Sequence, residues 1–245
     1  MSLKALPVNT AYSVHQILVP SLGKKLRFRP FLVKENKMLM IAQASENVDT
    51  MIDTLKQIIA NCCVESEPLD VDNLATFDLE YLLVKLRVIS VDDSITLEVT
   101  CDDPHDGYDE KTRKTRVHLN LDDIEIVGLK DYTRKIKLSD DLYVLMKLPS
   151  LGMLNNMPEG NDIDANLSKL GAQIDKICTS EEVFDASEYT PAEILNWLLG
   201  LTETQLANLL KYFENIPYCR IKVEWTCPHC GKRNIRYIEG LSYFF

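Results

Sequence analysis

Residues 220–238 read Arg220-Ile-Lys-Val-Glu-Trp-Thr-Cys-Pro-His-Cys-Gly-Lys-Arg-Asn-Ile-Arg-Tyr-Ile238, and their pattern sets the fold class. Apolar and polar residues alternate up to Thr226, which is the period of a half-buried strand. Cys227-Pro228-His229-Cys230-Gly231 then interrupts the alternation, and a second alternating run starts at Asn234. Strand, C-P-x-C-G knuckle and strand make half of a zinc ribbon. In that unit a tight turn lets two thiolates reach one tetrahedral ion. A redox C-x-x-C needs the motif at a helix N-terminus, where the first thiol's pKa falls. Here a strand-like run follows, so a metal is the better reading.

Tetrahedral zinc takes four ligands, and the chain holds one echo of the knuckle. Leu97-Glu-Val-Thr-Cys101 resembles Val223-Glu-Trp-Thr-Cys227 in its alternation and its Thr-Cys ending. His105 follows Cys101, and a strand-like run, Thr115–Leu121, comes after it. Cys101 and His105 are therefore the candidates to complete a Cys3His site with Cys227 and Cys230, as a closed structural Zn2+ centre. His118 and His229 are possible substitutes. The competing reading makes Cys101 a strand-end residue with no metal. His15 reads as an ordinary histidine. The remaining thiols, Cys62, Cys63, Cys178 and Cys219, read as small apolar core residues.

Upstream, Leu22–Leu32 is a basic-apolar strand candidate whose cations, Lys24, Lys25, Arg27 and Arg29, read as a solvated strand face. From Val33 to Cys63 the apolar spacing turns helical. A second helix is expected from about Asn73 to Ser90, with Leu79, Leu82, Leu83 and Leu86 as its core stripe. Residues 95–148 read as β-rich. Leu167, Leu170, Ile174 and Ile177 fall on one helical face. Thr190-Pro-Ala-Glu193 and Thr202-Glu-Thr-Gln205 are capping boxes that open two short helices, with Gly200 closing the first. The expectation is an α+β fold: helical N- and C-terminal segments around a mixed β region, with a zinc-ribbon-like pair of strand-knuckle-strand hairpins. A soft boundary near residue 150 separates an N-terminal α+β region (1–150) from a helical hairpin plus knuckle (151–245). A shared metal site would interlock the two as one unit.

Composition narrows the function. The 245 residues carry 27 Lys+Arg against 37 Asp+Glu, a formal charge of −10, which argues against broad phosphate-backbone binding. No run of about 18 apolar residues suggests a membrane span, and no secretory signal is expected at the N-terminus. G-x-G-x-x-G, Walker, G-x-S-x-G and H-E-x-x-H motifs are all missing from the sequence. The acidic group Asp102, Asp103, Asp106 and Asp109 lacks EF-hand spacing. A binding or assembly protein fits better than an enzyme. Leu241, Tyr243, Phe244 and Phe245, together with Phe28 and Phe31 of the basic-apolar segment, are candidate partner contacts. Self-docking of the terminal aromatics is the plainer alternative.

Four stretches, in order, resemble the T4-type bacteriophage baseplate family. They are Leu26-Arg-Phe-Arg-Pro-Phe-Leu-Val-Lys-Glu-Asn-Lys-Met-Leu-Met40, Phe77-Asp-Leu-Glu-Tyr-Leu82, Ile136–Leu142 with Val144–Pro149, and the knuckle with Glu239-Gly-Leu and Phe244-Phe245. The resemblance spans nearly the whole chain. It implies a baseplate hub assembly protein, working as a chaperone or assembly catalyst on other hub or hub-assembly proteins. It further implies a location in the host cytoplasm and absence from the mature virion. A permanent structural subunit of the hub is the alternative, and a zinc-ribbon nucleic-acid regulator a weaker one. The family supplies no catalytic residue to carry over.

Overall fold

The structure is a computed structural model, and it describes residues 12–45, 47–103, 114–150, 152–153, 160 and 162–240. Alternation decides its longest strand. In β10 (Tyr218–Thr226), Cys219, Ile221, Val223 and Trp225 are buried, while the residues between them face outward. A fully buried side chain of this kind contributes about 1.5–3 kcal/mol, so a register slip of one residue would lose the whole set. β10 pairs antiparallel with β11 (Arg233–Glu239), from Arg220↔Glu239 to Thr226↔Arg233. On its other side it pairs with β5 (Glu125–Val127), which seats residues 125–127 beside the C-terminal hairpin.

Three further antiparallel sheets are present among the described residues. β1 (His15–Val19) and β2 (Lys24–Phe28) form a hairpin, as do β3 (Ser94–Thr100) and β4 (Lys114–Asn120). A four-stranded meander runs β6 (Lys135–Lys137), β7 (Leu142–Met146), β8 (Ile174–Thr179), β9 (Val183–Asp185). The described chain thus opens and closes on strand pairs, and the helices expected at its two ends lie one step inside them.

The helical stretch Val33–Cys63 is two helices, α1 (Val33–Ala44) and α2 (Val48–Cys62). Asn47 divides them: its side chain accepts a hydrogen bond from the Thr50 amide at 2.8 Å, which starts a new helix. α3 (Thr76–Ser90) is apolar on more than one face. Leu79, Leu82, Leu83 and Leu86 pack with β1, β2 and α2, whereas Phe77 and Val84 join a second core with β3, β4, β10 and β11. One helix is therefore the wall between two cores.

The third core lies between the meander and α4 (Ile163–Ala172), α5 (Pro191–Leu199) and α6 (Glu203–Glu214). Both expected capping boxes form. The Thr190 hydroxyl accepts from the Glu193 amide, and the Thr202 hydroxyl from the Gln205 amide. The shared helical face of Leu167, Leu170, Ile174 and Ile177 does not. α4 stops at Ala172, and Ile174 and Ile177 lie in β8, paired with Met146 and Val144 of β7. A four-residue apolar step serves a helix and a helix-to-strand junction equally well. Ladder pairing on both sides of β8 decides for the strand.

Candidate metal centre

Two strand ends build the centre. β3 stops at Thr100 and β10 at Thr226, and the next residue of each is a buried cysteine, Cys101 or Cys227. After Cys227 the chain turns. The Gly231 amide donates to the Cys227 carbonyl at 2.9 Å, and the Cys227 amide donates to the Lys232 carbonyl at 2.8 Å. Gly231 has φ of +72°, the left-handed conformation that glycine adopts most readily, and this brings the more exposed Cys230 back toward Cys227.

The sulfurs of Cys101, Cys227 and Cys230 lie within 4.8 Å of one another, with Cys101 and Cys230 at 4.0 Å. Zn–S bonds of about 2.3 Å at tetrahedral angles place sulfurs about 3.8 Å apart. The cluster is thus near the size of a metal site and too open for a disulfide, whose S–S bond is about 2.05 Å. At Cys230 the Lys232 amide favours the thiolate, but desolvation and the two neighbouring thiols outweigh it and raise the pKa.

Polar side chains hold the two hairpins around the thiols. Arg236 reaches Asp102 at 2.8 Å and the Thr100 carbonyl at 3.4 Å, and Lys232 reaches Asp103 at 2.6 Å. The buried Asn234 takes the Cys101 thiol on its carbonyl oxygen at 3.6 Å and donates its amide to the Lys232 carbonyl at 3.0 Å. Two of the four expected acidic loop residues, Asp102 and Asp103, are therefore engaged across the hairpins. Asn234, Lys232 and Arg236 were not legible as site residues. Their only sequence signal was their place directly after the knuckle.

Of the four expected ligands the structure brings three together. His105 lies outside the described residues, as do Asp106 and Asp109. His118 bonds to Thr96 at 3.0 Å and His15 to Ser13 at 2.8 Å, and neither these two nor His229 is part of the cluster. The remaining cysteines sit in or beside the cores. Burial pushes the Cys62 thiol up to about 12 and raises Cys219 as well, whose Sγ donates to the Phe77 carbonyl at 3.2 Å.

The expected partner contacts fare differently. Phe28 is fully buried in the N-terminal core, which removes it from the surface, and Phe31 is half-buried against the same core. Leu241, Tyr243, Phe244 and Phe245 lie outside the described residues. The basic run is not uniformly solvated either. Lys24 and Lys25 are exposed and Arg27 pairs with Glu65, but Arg29 turns inward to Glu35. What α1 does present to the surface are three exposed apolar side chains, Val33, Met40 and Ile41, with the exposed Lys37 between Val33 and the other two. An apolar cleft of about 420 Å³ also opens between the meander and α5, lined by Leu142, Ile177, Phe184, Ile194 and Trp197. Its one carboxylate, Glu193, is held below the usual range by the amide and hydroxyl of Thr190.

Among the described residues no helix is long and apolar enough to cross a membrane. A family model described as T4 bacteriophage base plate protein matches residues 11–245. No curated protein and no solved structure matches the chain.

Proposed function

We propose, from the premise that the chain belongs to the T4 bacteriophage base plate protein family, that it helps to build the tail baseplate hub as a chaperone or assembly catalyst. Its partners in this reading are other hub or hub-assembly proteins, met in the host cytoplasm and released before the virion is complete. The family match over residues 11–245 carries the proposal. The adjacent exposed Met40 and Ile41 of α1 support it as solvent-facing apolar groups that a protein partner could cover. The acidic balance of 37 against 27 supports a protein partner over a nucleic acid.

The proposed activity is non-enzymatic. The thiol cluster enters it as a structural Zn2+ site of zinc-ribbon type that shapes the scaffold, since three thiolates select a soft, tetrahedral cation. Quantitative mass spectrometry of purified mature virions tests the assembly role. Absence from virions, with hub assembly failing when the gene is deleted, is expected. Presence at a fixed stoichiometric ratio would instead make the chain a permanent structural subunit.

A further inference from the structure

Among the described residues, the two hairpins that carry the three thiols share a core but no ladder: β3 pairs with β4, while β10 pairs with β11 and β5. Val99 and Leu119 of one hairpin share a buried apolar cluster with Val223, Trp225 and Ile238 of the other. Toward the loop end, past Thr100, the joining contacts become polar: Asp102 with Arg236, Asp103 with Lys232, and Cys101 with Asn234. The side chains of both ion pairs are roughly half exposed. Pairs of this kind contribute about 0–1 kcal/mol each, enough to orient the ends of β3 and β10 and too little to lock them together. Yet at this weakly held end one hairpin delivers Cys101 and the other delivers Cys227 and Cys230.

Resting on the structural-metal reading above, we infer that one Zn2+ bound by Cys101, Cys227 and Cys230 is the fastener of this end. Its removal frees the β3–β4 hairpin from the knuckle while the N-terminal and C-terminal cores stay folded. On binding, each thiol releases its proton to solvent and the three thiolates coordinate the ion. The fourth position is taken by a ligand other than these three. The link joins residues 129 apart in sequence, so it restrains a long stretch of chain, and metal binding free energy appears here as local folding free energy. The effect stays local because neither of the other two cores draws on β3, β4, β10 or β11: one is built by β1, β2 and α1–α3, sharing only α3 with the hairpin core, and the other by the meander and α4–α6. The arrangement is an asymmetric ribbon. One knuckle brings two thiolates within a single turn, and the other brings its thiolate on the end of a strand.

The experiment uses the full wild-type chain, purified without chelator. Elemental analysis comes first, followed by hydrogen–deuterium exchange and thiol alkylation with and without a zinc chelator. About one equivalent of zinc is expected. Chelation should then speed exchange in Ser94–Thr100, Lys114–Asn120 and Arg233–Glu239, and expose Cys101, Cys227 and Cys230 to alkylation. Val48–Cys62 and Glu203–Glu214 should be unchanged. Zinc present, with exchange in the two hairpins indifferent to chelation, overturns the fastener and leaves the metal reading standing. Chelation that unprotects α2 and α6 as well overturns the local character of the effect. Zinc below about 0.1 equivalent, with Cys230 alkylated equally in both conditions, overturns the fastener and the metal reading together.

Discussion

Arg29 and Glu35 form an ion pair at 2.8 Å with both side chains almost completely out of solvent, 6% and 0% exposed. Arg29 also donates to the Pro30 carbonyl at 3.0 Å, and Glu35 accepts from the Leu32 amide at 2.9 Å, just before α1. The pair therefore joins the end of β2 to the start of α1. Removing Glu35 leaves the Arg29 charge buried without a carboxylate, and removing Arg29 leaves the buried Glu35 with only the exposed Lys34 at 3.5 Å, losses of about 3–5 kcal/mol. Arg29→Met and Glu35→Leu should each lose about that much in urea unfolding, and the double variant should lose much less than the sum. Additive losses would mean that the two charges are solvated independently.

The same pair sets a pH dependence. Burial pushes the Glu35 carboxyl up, but its hydrogen bonds to Arg29 and the Leu32 amide outweigh this and hold it below the usual value. Stability from a depressed carboxyl is fully present above its unfolded value of about 4.3 and is lost as pH falls through the native value. Wild-type stability should decline below that pH, and Glu35→Gln should show a shallower decline over the same range.

Asp78 titrates in the opposite sense. It is fully buried, and burial raises its pKa although the Ser21 amide, at 2.9 Å, and the Ser21 hydroxyl both donate to it. A raised carboxyl favours the folded state below its unfolded value, and that advantage is lost as pH rises through the native one. Asp78→Asn, which keeps an acceptor for the Ser21 amide, should fold normally and remove this contribution. Asp78→Ala strands the Ser21 donors and should cost about 1–3 kcal/mol. Equal stability of the two variants at neutral pH would refute this account.

α4 and α5 touch at Gly171. A Cβ there would sit 2.8 Å from Cγ2 of Ile194, closer than real contacts allow. Gly171→Ala should destabilise the C-terminal core by about 1–3 kcal/mol through overpacking. In a double-mutant cycle, Ile194→Ala should relieve part of that strain, so that the two losses are less than additive.

The exposed face of α1 offers a functional test without loss of the fold. Met40 and Ile41 are 63% and 59% exposed, so Met40→Asp with Ile41→Asp should leave thermal unfolding within about 0.5 kcal/mol of wild type. Complementation of a deletion phage should fail. Normal complementation would exclude this face as the partner contact.

Much of the local structure was legible because its causes are local. The capping boxes at Thr190 and Thr202 need only residues three apart, the alternation of Cys219 to Trp225 needs only a period of two, and the knuckle turn needs Gly231 beside Cys230. Where two structures share one pattern, the sequence was ambiguous. Ile174 and Ile177 satisfy helical spacing, and only the neighbouring strands β7 and β9 make them part of a sheet.

The acidic charge, the capped helices, the knuckle hairpin and the family likeness were all readable in short stretches of the chain. Long-range packing settled that Arg29 turns inward to Glu35, that Phe28 is core, that α3 divides two cores, and that Asn234, Arg236 and Lys232 meet Cys101, Asp102 and Asp103. The physical reason is range. A cap or a turn is settled by a few adjacent dihedrals, whereas burial of a charge and the meeting of sulfurs 129 residues apart depend on which distant surfaces pack together.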